Sequence, residues 1–333
     1  MLRKRLNLLL LALVVAGLAL TGCDKTTEPH ERPTTGPAWV TYDAVSSGLA
    51  SDAVTSIAPD PSGNVWFGTY DAGVSKLHSR SWTTYNMSNS GLASNQIYTI
   101  AIDDVGNKWV GTPSGVSKLG AVSWVTYDIS NSGLADDDVF AIAFDSQGNE
   151  WFGTAGGVSE LHGTVWTTYN SINSGLTYDN VAAIVIDSAD NKWFGTSSGV
   201  SKFGGIDWTT YNTSNSGLVG DNVVAMAIDT AGNVWFGTPS GVSKFDGANW
   251  TSYTMSTSGL ASDLVTAVAA DGVGNVWFGT QDNGASKFDG TNWITYNTSN
   301  SGLADNHITA IAIDSAGNKW FGSYFSGVSR FHE

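Results

Sequence analysis

A closed, seven-bladed β-propeller of four-stranded antiparallel blades is the fold this sequence predicts, and three observations predict it. The 14 Trp form two series of seven at a constant offset. Around them, short apolar runs alternate with turns rich in Gly, Asn and Asp. The two ends of the repeat region are complementary fragments of a single repeat.

The first series is Trp39, Trp82, Trp124, Trp166, Trp208, Trp250 and Trp293; the second is Trp66, Trp109, Trp151, Trp193, Trp235, Trp277 and Trp320. Steps within a series are 42 or 43 residues, and the offset between the two is always 27. A period near 40 residues without helical periodicity marks a propeller blade. Residues 223–253 show its four strands: VVAMAID, VWFGT, VSKF and NWTSY, separated by turns. Such strands between Gly, Asn and Asp turns read as successive hairpins.

A single blade cannot bury both its faces, so the ring must be complete. The last copy stops at Glu333 without its Trp-bearing fourth strand, and AWVTYD at 38–43 has no three strands before it. The N-terminal strand is therefore expected to complete the last blade from outside, leaving no open edge. Blades are expected at 54–85, 97–128, 139–170, 181–212, 223–254, 265–297, and 308–331 joined by 38–43.

Composition agrees. Charged residues make up 14% of 333 residues, against roughly 25% in an average soluble protein, and Gly numbers 39. One Cys excludes a disulfide framework and Cys-based metal centres. The formal net charge of −15 repels polyanions, so nucleic acid is not an expected partner.

Arg3-Lys4-Arg5 precedes an apolar run from Leu8 to Leu20, the pattern of a secretory signal. The run ends in Leu20-Thr21-Gly22-Cys23, which resembles the lipobox of bacterial lipoproteins. That resemblance implies cleavage before Cys23 and acylation of it, and several acyl chains anchor a protein stably. The expected organisation is a signal peptide at 1–22, the lipidated Cys and a flexible tether at 23–37, and the propeller at 38–333. The expected location is extracytoplasmic, with membrane contact through the lipid alone.

The stretch DTAGNVWFGTPSGVSKF, from Asp229 to Phe245, carries an Asp, a Gly-Asn turn, a Trp strand, Gly-Thr, then Gly and an apolar strand. Its pattern recurs through the seven copies, with Asp190 in the place of the turn Gly in blade 4 and Ser323 in the place of Thr in blade 7, and resembles the two-component-regulator propeller repeat family. Members of that family often form extracytoplasmic sensor regions of hybrid histidine kinases that detect polysaccharide-derived ligands. Here seven repeats run to Glu333 with no membrane span or kinase sequence, so the resemblance implies a ligand-binding propeller and not kinase signalling.

Features kept in every copy are read as structural. Both Trp series and the Tyr of W-x-x-Y should pack between blades. The Leu of S-G-L should tuck under each connection. Asp60, Asp103, Asp145, Asp187, Asp229, Asp271 and Asp314 precede the first turn and read as Asx-turn caps, since the full D-x-D-x-D-G calcium pattern is absent. The basic residues of the third strands, Lys76, Lys118, Lys202, Lys244, Lys287 and Arg330, are expected to pair with those Asp. Blade 3 departs with Glu160 and Glu150.

Departures between copies point to function. The second turn is one residue longer in blades 1, 6 and 7, which become neighbours when the ring closes. Those turns carry Tyr70 and Asp71; Gln281, Asp282 and Asn283; and Tyr324 and Phe325. Aromatic faces stack on sugar rings or apolar surfaces, and carboxylates and amides bond hydroxyls. Just before each first strand, on the same face, a variable position should rim the channel: Ala53, Gln96, Asp138, Asn180, Asn222, Leu264 and His307. Beside it vary Thr55, Tyr98, Phe140, Ala182, Val224, Thr266 and Thr309. His307 joins the long-loop residues as the eighth ligand-binding candidate.

The expected role is non-catalytic binding of a small molecule, glycan or protein by a monomer, without metal or cofactor. One alternative resembles the streptogramin lyases, seven-bladed enzymes with a His and acidic residues around magnesium; His307, Asp305 and Asp138 could supply fragments of such a site. Another is a surface scaffold for proteins.

Overall fold

The computed structural model describes residues 38–333; the expected signal peptide, lipidated Cys23 and tether lie outside the described residues. Among the described residues, 28 strands form seven four-stranded antiparallel sheets. Blade 1 contains Val54–Pro59, Asn64–Thr69, Val74–His78 and Ser81–Tyr85, ordered from the channel outward. Five blades follow at 99–127, 139–169, 181–211, 225–253 and 265–296. In the last, Ala38–Tyr42 lies outside Val328–His332, then Lys319–Ser323 and Ile308–Ile313. The register runs from Ala38 opposite His332 to Tyr42 opposite Val328, so the ring closes as expected.

First strands of adjacent blades pack on one another and line the channel. Second strands are covered on both sides, and Val276–Thr280 is buried throughout. This is why VWFGT reads as an unbroken apolar run and not as an alternation. Each interface has its own core. At the closure, Val40, Tyr42, Trp320 and Val328 of the last blade pack with Val54 and Phe67 of the first.

First and third turns share one face: His78 Nδ1 lies 2.6 Å from Asn64 Oδ1, and His162 and His332 repeat the contact with Asn149 and Asn318. Second turns and inter-blade connections share the other, where the Gly73 N–H donates to the Asn95 carbonyl at 2.8 Å. The strand Ala38–Tyr42 thus enters on the first-turn face and leaves on the second-turn face.

The S-G-L connection has a physical reason for each residue. Leu49 and its six counterparts are buried. Their Gly neighbours lie against the outer Trp of the next blade; a Cβ on Gly133 would stand 2.3 Å from Trp166 Cβ. The connection is stapled twice more. The Asp137 carboxylate accepts the Ile129 N–H at 2.9 Å, and the third-strand Ser159 hydroxyl accepts the Ala135 N–H at 2.8 Å.

The first-turn Asp are Asx caps, as expected. Asp145 Oδ1 accepts the N–H groups of Gln147 and Asn149, and Oδ2 accepts the Asn149 amide and the Trp151 indole. The expected pairing of these Asp with third-strand lysines is corrected: no such pair is among the ion pairs of the described residues, and only at Asp103 does the lysine of the same blade, Lys118, help hold the carboxyl below its ordinary range. Register explains the difference. Lys76 lies directly across from Trp66, and its ammonium sits 5.3 Å from the ring centroid. Lys118, Lys202, Lys244, Lys287 and Arg330 likewise lie over the Trp of their own blades. The carboxylates, already saturated by N–H donors, instead meet second-strand lysines of the next blade, Lys108 at Asp60 (3.8 Å) and Lys192 at Asp145 (3.3 Å). In blade 3, Glu160 accepts from the Tyr169 hydroxyl at 2.9 Å and Glu150 lies 3.9 Å from Lys118.

Candidate functional site at the second-turn face

One clamp shapes every second turn. In the short turns the Thr112 hydroxyl donates to the carbonyl of Gly115, three residues on. In the long turns Thr69, Thr280 and Ser323 reach Gly73, Gly284 and Gly327, four residues on. The extra residue is accommodated by bulging outward. Tyr70, Asp71, Gln281, Asp282, Asn283 and Phe325 are accordingly exposed, and Tyr324 is half-buried.

Two of the three long turns meet. Tyr70 of blade 1 lies 6.0 Å, centroid to centroid, from Tyr324 of blade 7. Tyr324 packs edge-on against Phe325 at 4.9 Å and stacks on His307 at 5.7 Å, their planes 17° apart. His307 also meets Phe325 at 5.9 Å. The blade 6 turn is held by its own backbone, Gln281 N–H to the Leu264 carbonyl at 2.9 Å. Among the described residues, no ring contact joins Gln281, Asp282 or Asn283 to the aromatic group.

The patch continues the other way around the ring. Tyr98 of blade 2 lies 5.1 Å from Phe140 of blade 3, and its hydroxyl donates to Asp138 at 3.4 Å. The Tyr98 phenol is pushed above its ordinary range by burial first, then by the Asp138 carboxylate and by Tyr70. Two groups of rings on successive blades therefore make an arc at the channel mouth: Phe325, Tyr324 and Tyr70 on blades 7 and 1, and Tyr98 and Phe140 on blades 2 and 3.

The variable position beside the rim divides into three kinds, of which Ala182 and Val224 are the small aliphatic one. The hydroxyls of Thr55 and Thr266 donate to carbonyls of the next blade, Ile97 at 2.7 Å and Ile308 at 2.5 Å. Thr309 does the same to Val54. These Thr lace adjacent blades together. Tyr98 and Phe140 replace that link with rings, a signal legible as two aromatics among small residues.

Stretches 48–71, 133–156 and 217–240 match the family model described as the two component regulator propeller. Three stretches of the chain are thus similar to the two-component regulator propeller repeat. Each matched stretch runs from an S-G-L connection through the first two strands to a second turn. The two-component regulator propeller repeat thus frames the second-turn face. No curated protein matches the sequence.

Among solved structures, one similar fold is the extracellular domain of a protein described as a hybrid two component system from B. thetaiotaomicron. It shows 21% identity and a TM-score of 0.73, over 85% of this chain and 40% of that one. A streptogramin B lyase matches at 15% identity and TM-score 0.69, over 85% of this chain and 94% of that one. PorZ, a surface component of the type-IX secretion system of Porphyromonas gingivalis, matches at 18% identity and TM-score 0.69, over 90% of this chain and 48% of that one. The chain spans less than half the length of the first and third of these proteins.

Proposed function

We propose that this protein is a non-catalytic, extracytoplasmic binding module, held at a membrane by acylated Cys23, that takes a glycan on its second-turn face. The arc of rings at the channel mouth carries the reading. Ring faces suit the apolar faces of sugars, and Asp71, Gln281, Asp282 and Asn283 on the same face suit their hydroxyls. The repeat family, and similar folds described as extracellular domains, support the location. Support for a non-catalytic role comes from the two carboxylates that a lyase-like site would draw on. Asp305 already accepts the backbone N–H of His307 at 3.0 Å and the Ser326 hydroxyl at 3.4 Å, and Asp138 accepts from Tyr98.

A glycan array probed with the purified chain tests the reading, repeated with Tyr70→Ser, Tyr324→Ser and Phe325→Ser combined. Specific, hydroxyl-dependent binding that the triple variant loses is expected. Affinity unchanged in that variant removes this site. EDTA-sensitive turnover abolished by His307→Ala would establish the lyase-like alternative instead.

A protein-scaffold reading is favoured by one further observation. Val45, Met87, Ile129 and Ile172, on the connections leaving blades 7, 1, 2 and 3, are 94%, 57%, 59% and 93% exposed. They lie on the same face and the same blades as the rings, so a protein partner would find apolar contacts at both radii. Co-purification of one defined protein, lost on changing these four residues to Ser, is the expected outcome of that reading.

A further inference from the structure

The closing interface holds a cavity of about 210 Å³ on the first-turn face, opposite the ring arc. Its walls include Asp60, Val65 and Leu77 of blade 1, and Asp314, Trp320 and Arg330 of the last blade.

Comparison of the seven interfaces explains why it is there. Val65 occupies the place of Lys108, Glu150, Lys192, Val234, Val276 and Lys319 in the other copies. Leu77, its cross-strand partner, occupies the place of Leu119, Leu161, Phe203, Phe245, Phe288 and Phe331. Elsewhere at least one of the two is long and fills the gap against the preceding Trp. Lys108 puts its ammonium 5.2 Å from the Trp66 ring centroid, and Lys192 stands 5.2 Å from that of Trp151. Lys319 lies 5.6 Å from the centroid of Trp277. Where the second-strand residue is Val, Phe takes over: Phe245 lies 5.9 Å from Trp193, and Phe288 lies 6.0 Å from Trp235. Val65 with Leu77 is the one combination of two short side chains; both pack in one cluster with the buried Trp320, and the cavity opens beside them.

We propose that this cavity binds an aliphatic primary ammonium group, seated as Lys108 and Lys192 are seated at the sister interfaces. The alkyl stem lies along Val65 and Leu77. The ammonium sits over the Trp320 ring and beside the Asp314 carboxylate, as Lys192 lies 3.3 Å from Asp145 and 5.2 Å from the Trp151 centroid. Cation–π attraction favours this occupant, and the Asp314 carboxylate adds charge; the other lining carboxylate, Asp60, is already met by Lys108 at 3.8 Å. A lysine side chain of a partner and a free alkylamine share this chemistry.

Calorimetric titration of the full chain tests the proposal with Nα-acetyl-lysinamide, n-butylammonium and the uncharged Nα-acetyl-norleucinamide. At least one amine is expected to bind saturably, with norleucinamide about tenfold weaker or worse. Tighter binding of lysinamide than of butylammonium assigns a peptide lysine as the natural occupant, and equal binding assigns a free amine. Val65→Lys supplies the missing ammonium from within, so it should raise Tm and eliminate amine binding. Leu77→Phe should eliminate binding by filling the space, and reads the same point if Val65→Lys fails to fold. Absence of saturable binding by both amines overturns the proposal. So does norleucinamide binding as well as lysinamide, or wild-type affinity in a folded variant.

Discussion

The indole Nε1–H of Trp151 donates to Oδ2 of Asp145 at 3.0 Å, and the same Asp–Trp bond recurs in all seven blades between 2.8 and 3.4 Å. One carboxylate thus shapes the first turn and fixes the ring that fills the interface to the next blade. Hydrogen bonds to a charged group are each worth about 1.5–3 kcal/mol. Asp145→Ala should therefore cost about 3 kcal/mol in urea unfolding, although it leaves the hydrophobic contacts in place. A cost below about 1 kcal/mol would show that the packed Trp needs no such lock.

Acid should dismantle these locks together. Burial alone would raise the carboxyls of Asp60, Asp103, Asp145, Asp187, Asp229 and Asp271, yet N–H donors from the neighbouring Asn and Trp hold them below the ordinary carboxylate range. A depressed native pKa contributes stability that is complete above the unfolded-state value, near pH 4, and is lost as pH falls through the native value. Urea midpoints should therefore fall steeply below about pH 4, where several groups take up protons on unfolding. A midpoint that holds constant through that range would contradict the assignment.

Glycine has two distinct jobs here, and one substitution at each separates them. Gly133→Ala drives a methyl into Trp166, where the built Cβ stands 2.3 Å away, and overpacking of this kind costs about 1–3 kcal/mol. Gly148→Ala meets nothing within 4 Å but must adopt φ +82°, which costs about 1 kcal/mol. Chemical denaturation should rank Gly133→Ala as the worse of the two, and only that variant should change Trp fluorescence in the native state.

Tyr42 sits on the closing strand, stacked on Trp320 at 5.8 Å and edge-on to Trp82 of the first blade at 5.8 Å. Truncating a buried aromatic costs about 3–5 kcal/mol. Tyr42→Ala should lower the melting temperature while keeping one cooperative transition, because both blades at the seam lose their cover together. A separate early transition for the last blade would mean that the ring does not unfold as a unit.

The fold was legible because it is periodic: two Trp series and two incomplete ends define blade number, strand order and closure without any three-dimensional information. The Asx role of Asp145 was legible for the same reason. The partner of Lys76 was not. Opposite charges on one rim suggested Asp60, but strand register sets Trp66 directly across from Lys76, and the carboxylate was already occupied. The ring arc was half legible. Tyr70, Tyr324 and Phe325 stood out through loop length, whereas Tyr98 and Phe140 differ from Thr55 and Thr309 only in residue type, and their proximity depends on the curvature of the ring. Val65 and Leu77 are ordinary strand residues in sequence; only pairing across the sheet makes their shortness additive.

The path of Ala38–Tyr42 has a mechanical consequence. Its first residue lies opposite His332, on the first-turn face, so a pull along the strand axis through Ala38 would be applied there. Load in that direction shears the hydrogen bonds to Val328–His332 simultaneously and does not peel them one by one. The ring arc, at the other end of the strand, is oriented away from the point of traction. A propeller held by its leading residues would therefore resist tension at its seam while keeping its ring-lined mouth turned outward.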